Sequence, residues 1–271
     1  MSQRKVLLHY HIYKNAGTTF ERVLDENYGD QHISFDGPFP FSSINQDQLT
    51  TIIQRHPNAL ACSSHQIHLP VPSSVSLKLI PAVFFRNPLL RIRSMYLFSK
   101  RGKDKVLEKV TLSDPLEGFE NWVIDMLSHE QHRLQISNTQ TSMLSRCYNL
   151  PPKREGRDGR FTYDLQQAVN NLSLVPCLGR TEHFDTDVSS FSTTLADLGV
   201  NFLYEKRKAE NVSSPDHKKP VEAQLKAMES SLSPETWQQL NWANHQDLAL
   251  YDIVNEIVEE RLREGFPIPQ V

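Results

Sequence analysis

The chain has 271 residues, is 38% hydrophobic, and carries 29 basic against 32 acidic side chains for a formal charge of -3. That length suits one large α/β domain or two small ones with a buried core. The balance lacks the broad basic face that general nucleic-acid binding needs, so any anion site must be local.

In chain order, Lys5 to Ile12 reads as a buried strand, followed by a loop and a helix from Thr18 to Glu26. Residues 29–48 are rich in turn residues and read as an irregular surface segment, with a helical stretch near 46–55 at its end. Asn58 to Ser63 is a second strand, and Leu77 to Phe85 is the clearest third one. Arg86-Asn87-Pro88 ends that strand, and Pro88 suits the first turn of a helix running to Lys100. Helices follow at 115–127, 139–147, 163–172 and 186–198, with a further strand at Leu174 to Gly179. Apolar residues near helical spacing make 234–264 one last long helix. The charged segments 101–113 and 151–161 read as surface loops. Strands alternating with helices predict a single α/β domain over 1–271, a central mostly parallel sheet covered by helices on both faces.

Cys62, Cys147 and Cys177 stand far apart, with neither a disulfide framework nor C-x-x-C metal spacing. No apolar stretch approaches the ~20 residues of a membrane helix, and no secretory leader precedes the first strand. The expectation is a cytoplasmic protein without a membrane span.

His11-Ile-Tyr-Lys-Asn-Ala-Gly-Thr-Thr19 follows the first strand and opens the first helix. Backbone N–H groups at a helix N-terminus bind anions, helped by the helix dipole. Gly17 allows close approach, Thr18 and Thr19 add hydroxyls, and Lys14 adds an ammonium. In a Walker loop the lysine follows the last glycine; here it precedes the only one, which argues against an ordinary nucleoside triphosphatase. A plain strand–turn–helix corner is the alternative.

The stretch Phe84-Phe-Arg-Asn-Pro-Leu-Leu-Arg-Ile-Arg-Ser-Met-Tyr96 supplies a second anion site. Arg86 lies at the carboxyl end of a buried strand, where open α/β sheets bind ligands. Ser94 lies about two turns into the helix, so a bidentate guanidinium and a neutral hydroxyl can grip one phosphate. Arg91 and Arg93 read as solvated or paired with acids, and Phe84, Phe85, Met95, Tyr96 and Phe98 as core.

At these residues the chain resembles the sulfotransferases that use 3′-phosphoadenosine 5′-phosphosulfate (PAPS), and in particular their carbohydrate-modifying, heparan-type branch. His11 to Thr19 matches the first loop of that family, with Tyr13 where proline is usual. Arg86-Asn87-Pro88 followed by Ser94-Met95-Tyr96 matches its second signature. Weaker echoes are Asn138 to Leu144, with Ser142 in place of an arginine, Leu178 to Asp185, and Asn211-Val212-Ser213 with Lys218 and Lys219. The resemblance implies a three-layer, P-loop-NTPase-like sulfotransferase fold. It implies sulfuryl transfer from PAPS to a hydroxyl acceptor, such as a carbohydrate or small molecule, with 3′,5′-adenosine bisphosphate (PAP) released and no metal required. Lys14 then contacts the bridging oxygen, Asn15, Ala16, Gly17, Thr18 and Thr19 hold the 5′-phosphate, and Arg86 and Ser94 hold the 3′-phosphate. Asn211, Ser213 and Lys218 close over the nucleotide.

The acceptor hydroxyl needs a base, and histidine is the usual choice. His65 follows the second strand at the same sheet edge as Lys14, with His68 close enough to compete. His11 reads as orienting the loop and His9 as structural. Gln140 and Thr141 are candidates for touching acceptor or nucleotide, with a helix cap as the alternative. Two other readings stay open: a nucleotide kinase of related α/β fold, and a non-catalytic nucleotide-binding protein. Neither the acceptor nor the oligomeric state is legible.

Overall fold

The computed structural model describes residues 3–37, 43–103, 116–145, 153–155, 160–206 and 219–267. Asn211, Ser213 and Lys218 lie outside them, as does Cys147.

The chain begins with β1 (Arg4–Tyr10), then α1 (Gly17–Tyr28), β2 (His32–Ser34), α2 (Gln46–Arg55), β3 (Ala61–Ser64) and β4 (Leu77–Phe85). Next come α3 (Pro88–Lys103), α4 (Phe119–Ser128), α5 (Glu130–Arg133), α6 (Thr139–Ser145), β5 (Lys153–Glu155) and β6 (Arg160–Thr162). The remainder is α7 (Leu165–Ser173), β7 (Cys177–Arg180), α8 (Phe184–Asp197), α9 (Val221–Glu229), α10 (Pro234–Ala243) and α11 (His245–Glu264).

Five strands form one all-parallel sheet in the order β2-β3-β1-β4-β7. Strand alternation sends side chains to opposite faces, and both faces are apolar. Val6, Leu8 and Tyr10 of β1, with Val83 and Phe85 of β4, pack against Leu49 and Ile53 of α2, Leu172 of α7, and Leu250 and Val254 of α11. Leu7, Ala82, Phe84 and Cys177 face the other way, onto Phe20 and Leu24 of α1 and Val188, Phe191 and Leu195 of α8. The result is a three-layer α/β architecture, as the alternating pattern predicts. A third apolar cluster joins Ile92 of α3, Phe119 and Val123 of α4, and Leu240 of α10. Among the described residues no helix is long and apolar enough to cross a membrane.

Four expectations need correction. The turn-rich stretch after α1 contains β2, a three-residue strand paired with β3. The segment 151–161, read as a loop, carries most of the antiparallel β5–β6 pair. The long C-terminal helix is two helices broken at Asn244, whose Nδ2 donates to the Ile136 carbonyl at 2.7 Å and the Leu240 carbonyl at 2.9 Å. Arg91 and Arg93 are buried instead of solvated; Arg91 Nη2 donates to the Gln135 carbonyl at 2.7 Å and Thr139 Oγ1 at 2.9 Å.

Because every strand of the main sheet runs the same way, all five carboxyl ends open on one edge. The chain moves from β1 to β2 and β3 on one side, and later to β4 and β7 on the other. Loops on either side of β1 therefore diverge, leaving the crevice where open α/β sheets bind ligands.

Candidate active site

Four strand ends deliver side chains to that crevice: Lys14 after β1, His65 after β3, Arg86 after β4 and Glu182 after β7. The β1–α1 loop is bent by two non-glycine residues in the left-handed region, Lys14 at φ 69° and Ala16 at φ 60°. Each such residue costs about 1–2 kcal/mol, and strain of this kind is kept where the surroundings hold it. The bends precede the first turn of α1, which has no side-chain cap and no acidic residue. Backbone N–H groups at an uncapped helix start, behind a left-handed turn, form an anion-binding concavity. Gly17 is obligatory for another reason: a Cβ there would overlap the His11 ring. His11 is in turn held by Glu21 Oε1 at 3.1 Å from its Nδ1. Thr18 is exposed and Thr19 half-buried at the helix start.

The loop is clamped from behind. Asn15 Nδ2 donates to the Phe84 carbonyl at 2.8 Å and to Gln140 Oε1 at 2.6 Å. Gln140 Oε1 also accepts from the Arg86 N–H at 3.0 Å, while its Nε2 donates to the Arg86 carbonyl at 2.9 Å. Arg86 Nη1 then donates to the Lys14 carbonyl at 3.0 Å. The two anion motifs, 72 residues apart, are thus in direct contact.

Arg86 also faces an acid: its Nε lies 3.8 Å from Glu182 Oε1, which accepts the Asn87 N–H at 3.1 Å. Burial raises the Glu182 pKa, opposed by the Arg86 charge. Asn87 Oδ1 accepts from the N–H groups of Leu89 and Leu90 and so caps α3. Ser94 lies inward on that helix, 3% exposed, and its hydroxyl has no hydrogen-bond partner among the described residues; nor has the buried Nε of Arg86. Orphaned buried donors cost about 1–3 kcal/mol each, so both are suited to a ligand oxygen.

His65 Nδ1 lies 2.7 Å from the His11 carbonyl. A carbonyl only accepts, so Nδ1 carries the proton and Nε2 of the neutral ring keeps its lone pair. Burial lowers the His65 pKa below 6.5, and the neighbouring His11 lowers it further. His68 is buried, with Nε2 3.1 Å from Ser43 Oγ, so His65 is the more open of the two.

Three sequence expectations change. Asn15, expected to hold the nucleotide, is 1% exposed and its side chain is the loop's anchor. Gln140 and Thr141, read either as touching acceptor or nucleotide or as part of a helix cap, are fully buried and fit the second reading better: Gln140 clamps the two loops, and Thr141, at the start of α6, donates its N–H and hydroxyl to Asp247 Oδ1, both at 2.7 Å. Phe98, read as core, is 51% exposed, and the Lys14 ammonium lies 4.2 Å over its ring. The linear spacing also shows no cluster of metal-ligating groups, yet among the described residues the fold assembles two. His9, His11 and Glu21 gather in the interior, and Asp125, His129 and His132 on the surface. In the inner group, Nδ1 of His9 already faces Ser63 Oγ at 3.1 Å, and Nδ1 of His11 faces Glu21.

Glu21 escapes a motif reading because a lone acid carries no local signal until the fold sets it beside His11, and Glu182 falls within the Leu178 to Asp185 resemblance but has no role there until the fold sets it beside Arg86. Cys62 and Cys177 are free thiols buried in β3 and β7, and burial pushes the Cys62 pKa up to about 12.

No protein-family model matches the chain. It is similar to an uncharacterized protein of Archaeoglobus fulgidus, 24% identical over 271 residues that cover 97% of this chain and 99% of that protein. The likeness runs almost end to end in both, and it carries no activity with it.

Proposed function

We propose that the protein is a PAPS-dependent sulfotransferase, moving a sulfuryl group to an acceptor hydroxyl by in-line displacement and releasing PAP. The observation that carries this reading is the Arg86–Lys14 contact, which joins the helix N-terminus and the Arg86/Ser94 pair into one anion cradle with two ends. A donor with a 5′-phosphosulfate and a 3′-phosphate needs two such ends; ATP needs one continuous triphosphate track.

The first-turn amides of Gly17, Thr18 and Thr19 hold the 5′-phosphate. Arg86 and Ser94 hold the 3′-phosphate. Lys14 neutralises charge growing on the leaving phosphate as the sulfur–oxygen bond to it breaks, a contribution of positioned charge. A new sulfur–oxygen bond forms to the acceptor, whose proton passes to His65 Nε2. The closing role of Asn211, Ser213 and Lys218 rests on the family resemblance alone. The resemblance also favours a carbohydrate or small hydroxyl acceptor, and the free thiols suit a cytoplasmic setting.

The test is thermal stabilisation by PAP against ATP with magnesium, since a ligand that binds only the native state raises its stability by about 2.7 kcal/mol at a hundred times its Kd. PAP is expected to raise the Tm more than ATP does, and Arg86→Ala to weaken PAP more than ATP. Lys14→Ala is expected to abolish transfer. Preference for ATP with magnesium supports the kinase reading, and no shift with PAP removes the sulfotransferase one. PAP binding without transfer to any hydroxyl acceptor leaves the non-catalytic reading.

A further inference from the structure

Two large aromatic side chains stand open beside the reacting corner. Tyr13 is 41% exposed and Phe98 51% exposed. Their ring centroids lie 5.9 Å apart with the planes at 85°, so the rings meet as two walls of a right-angled corner. The Lys14 ammonium lies 4.2 Å over the Phe98 ring and 5.6 Å over that of Tyr13. His65 completes the group, its ring 6.1 Å from that of Tyr13.

The elements that place these rings are the ones that build the donor site. Tyr13 belongs to the β1–α1 loop, adjacent to Lys14. Phe98 lies on α3 four residues beyond Ser94, and residues spaced by four share a helix face. One face of α3 therefore carries both the buried hydroxyl assigned to the donor and the exposed ring beside the lysine. Rings of this size each bury about 150–250 Å² when covered, and leaving two open side by side is unfavourable unless something covers them.

We propose that Tyr13 and Phe98 form the acceptor subsite, an aromatic corner that stacks the apolar face of an uncharged ring and presents its hydroxyl to His65. The inference rests on the sulfotransferase reading and deepens it by naming the acceptor's chemistry. The walls are apolar, and the charge of Lys14 is committed to the phosphosulfate, so an uncharged ring fits better than a polyanion. The shared chemistry is a ring with one apolar face and a neutral hydroxyl, supplied equally by a phenol or a pyranoside. A consequence is the order of binding. In the empty site the ammonium occupies the face of Phe98, a cation–π contact weaker than its pairing with a phosphosulfate. Donor binding draws the ammonium away and uncovers the ring for the acceptor.

The test measures binding of p-cresol, a phenol that stays neutral at physiological pH, and of methyl β-D-glucopyranoside to the PAP-loaded protein by calorimetry, for the wild type, Phe98→Ala, Phe98→Tyr and Tyr13→Ala. PAP binding is measured separately, so failure of the donor reading is visible on its own. The expected result is that at least one probe binds, more tightly with PAP present than without. Its affinity falls about tenfold in Phe98→Ala and in Tyr13→Ala. Phe98→Tyr, which keeps an aromatic face, retains it, and Phe98→Ala still binds PAP. The probe that binds distinguishes an aryl acceptor from a sugar. Unchanged probe affinity in both alanine variants overturns the inference, as does failure of both probes on a protein that binds PAP.

Discussion

The His65 ring is oriented by the hydrogen bond from its Nδ1 to the His11 carbonyl, while its backbone N–H donates to Asp36 Oδ1, and this leaves the Nε2 lone pair available to accept a proton. Its pKa is lowered by burial and then by His11. As the proposed base, His65 must be neutral to act, so turnover is expected to be lost as the pH falls through its folded pKa. The acid limb of kcat/KM, which reports the free enzyme, is therefore expected below pH 6.5, the ordinary imidazole value. His65→Asn keeps an N–H for the His11 carbonyl and removes the base. Turnover should fall about 10²–10⁴-fold with the PAP-induced Tm shift intact; normal turnover would move the base elsewhere. The sequence left His65 and His68 as rivals because both follow the same strand. Their difference is one of burial and partners, decided by how the segment after β3 packs. Lys14, Gly17 and Arg86 could be nominated as candidates from the sequence for the opposite reason, since each nomination depends on residue type and spacing alone.

At the scale of elements, the site hangs on side-chain braces between distant segments. Asp247 on α11 accepts the Gln140 and Thr141 N–H groups at the start of α6, while Asn138 Oδ1 accepts the Gln246 and Asp247 N–H groups at the start of α11. Each helix is capped from the segment leading into, or lying inside, the other. Gln140 extends this brace to Asn15 and Arg86. Gln140→Leu, which orphans the Arg86 N–H and carbonyl, is expected to cost about 2–6 kcal/mol, at roughly 1–3 kcal/mol for each buried group. Urea denaturation should show a lower midpoint, and the PAP-induced Tm shift should shrink because both loops loosen. A loss under about 1 kcal/mol would show that the groups re-pair. The same brace explains a sequence error. Apolar spacing runs through 234–264 and reads as one helix, but Asn244 breaks it by bonding the Ile136 carbonyl 108 residues away. No local pattern encodes that bond. Strand β2 escaped for a similar reason, since three residues become a strand only through pairing with β3.

For the whole molecule, four histidines meet at one end of β1. His9 and His11 stack at 5.1 Å, His11 and His65 at 3.8 Å, and Ser63 Oγ bridges His9 and His32. Burial, and then its histidine neighbours, drives the His9 pKa well below 6.5. Glu21, Asp25 and Asp36 face the group, and Glu21 is pulled below its ordinary value: burial raises it, but the hydrogen bond and charge of His11 outweigh that. A histidine with a depressed folded pKa binds fewer protons folded than unfolded. Its contribution is therefore intact above pH 6.5 and is lost as the pH falls from there toward the folded value. Glu182 and Asp247, raised by burial, act in the opposite sense, so the histidine part is read as a difference. Tm followed from about pH 7.5 to about 5.5, across the unfolded imidazole range, should fall more steeply in the wild type than in His9→Asn. Equal slopes would remove His9 from the acid response.

The sequence by itself determined the α/β class, the limits of β4 and the start of α3, and nominated the two candidate anion motifs. These follow from apolar runs, Pro88, and short patterns in which the chemistry lies within nine residues. It did not determine the strand order, the buried work of Asn15, Gln140 and Thr141, or the exposure of Phe98. Those depend on contacts spanning tens to more than a hundred residues, where burial and hydrogen-bond partners are set by which surfaces meet. Only the tertiary structure brought Arg86 to the Lys14 carbonyl, and that contact turns two separate motifs into a single candidate site.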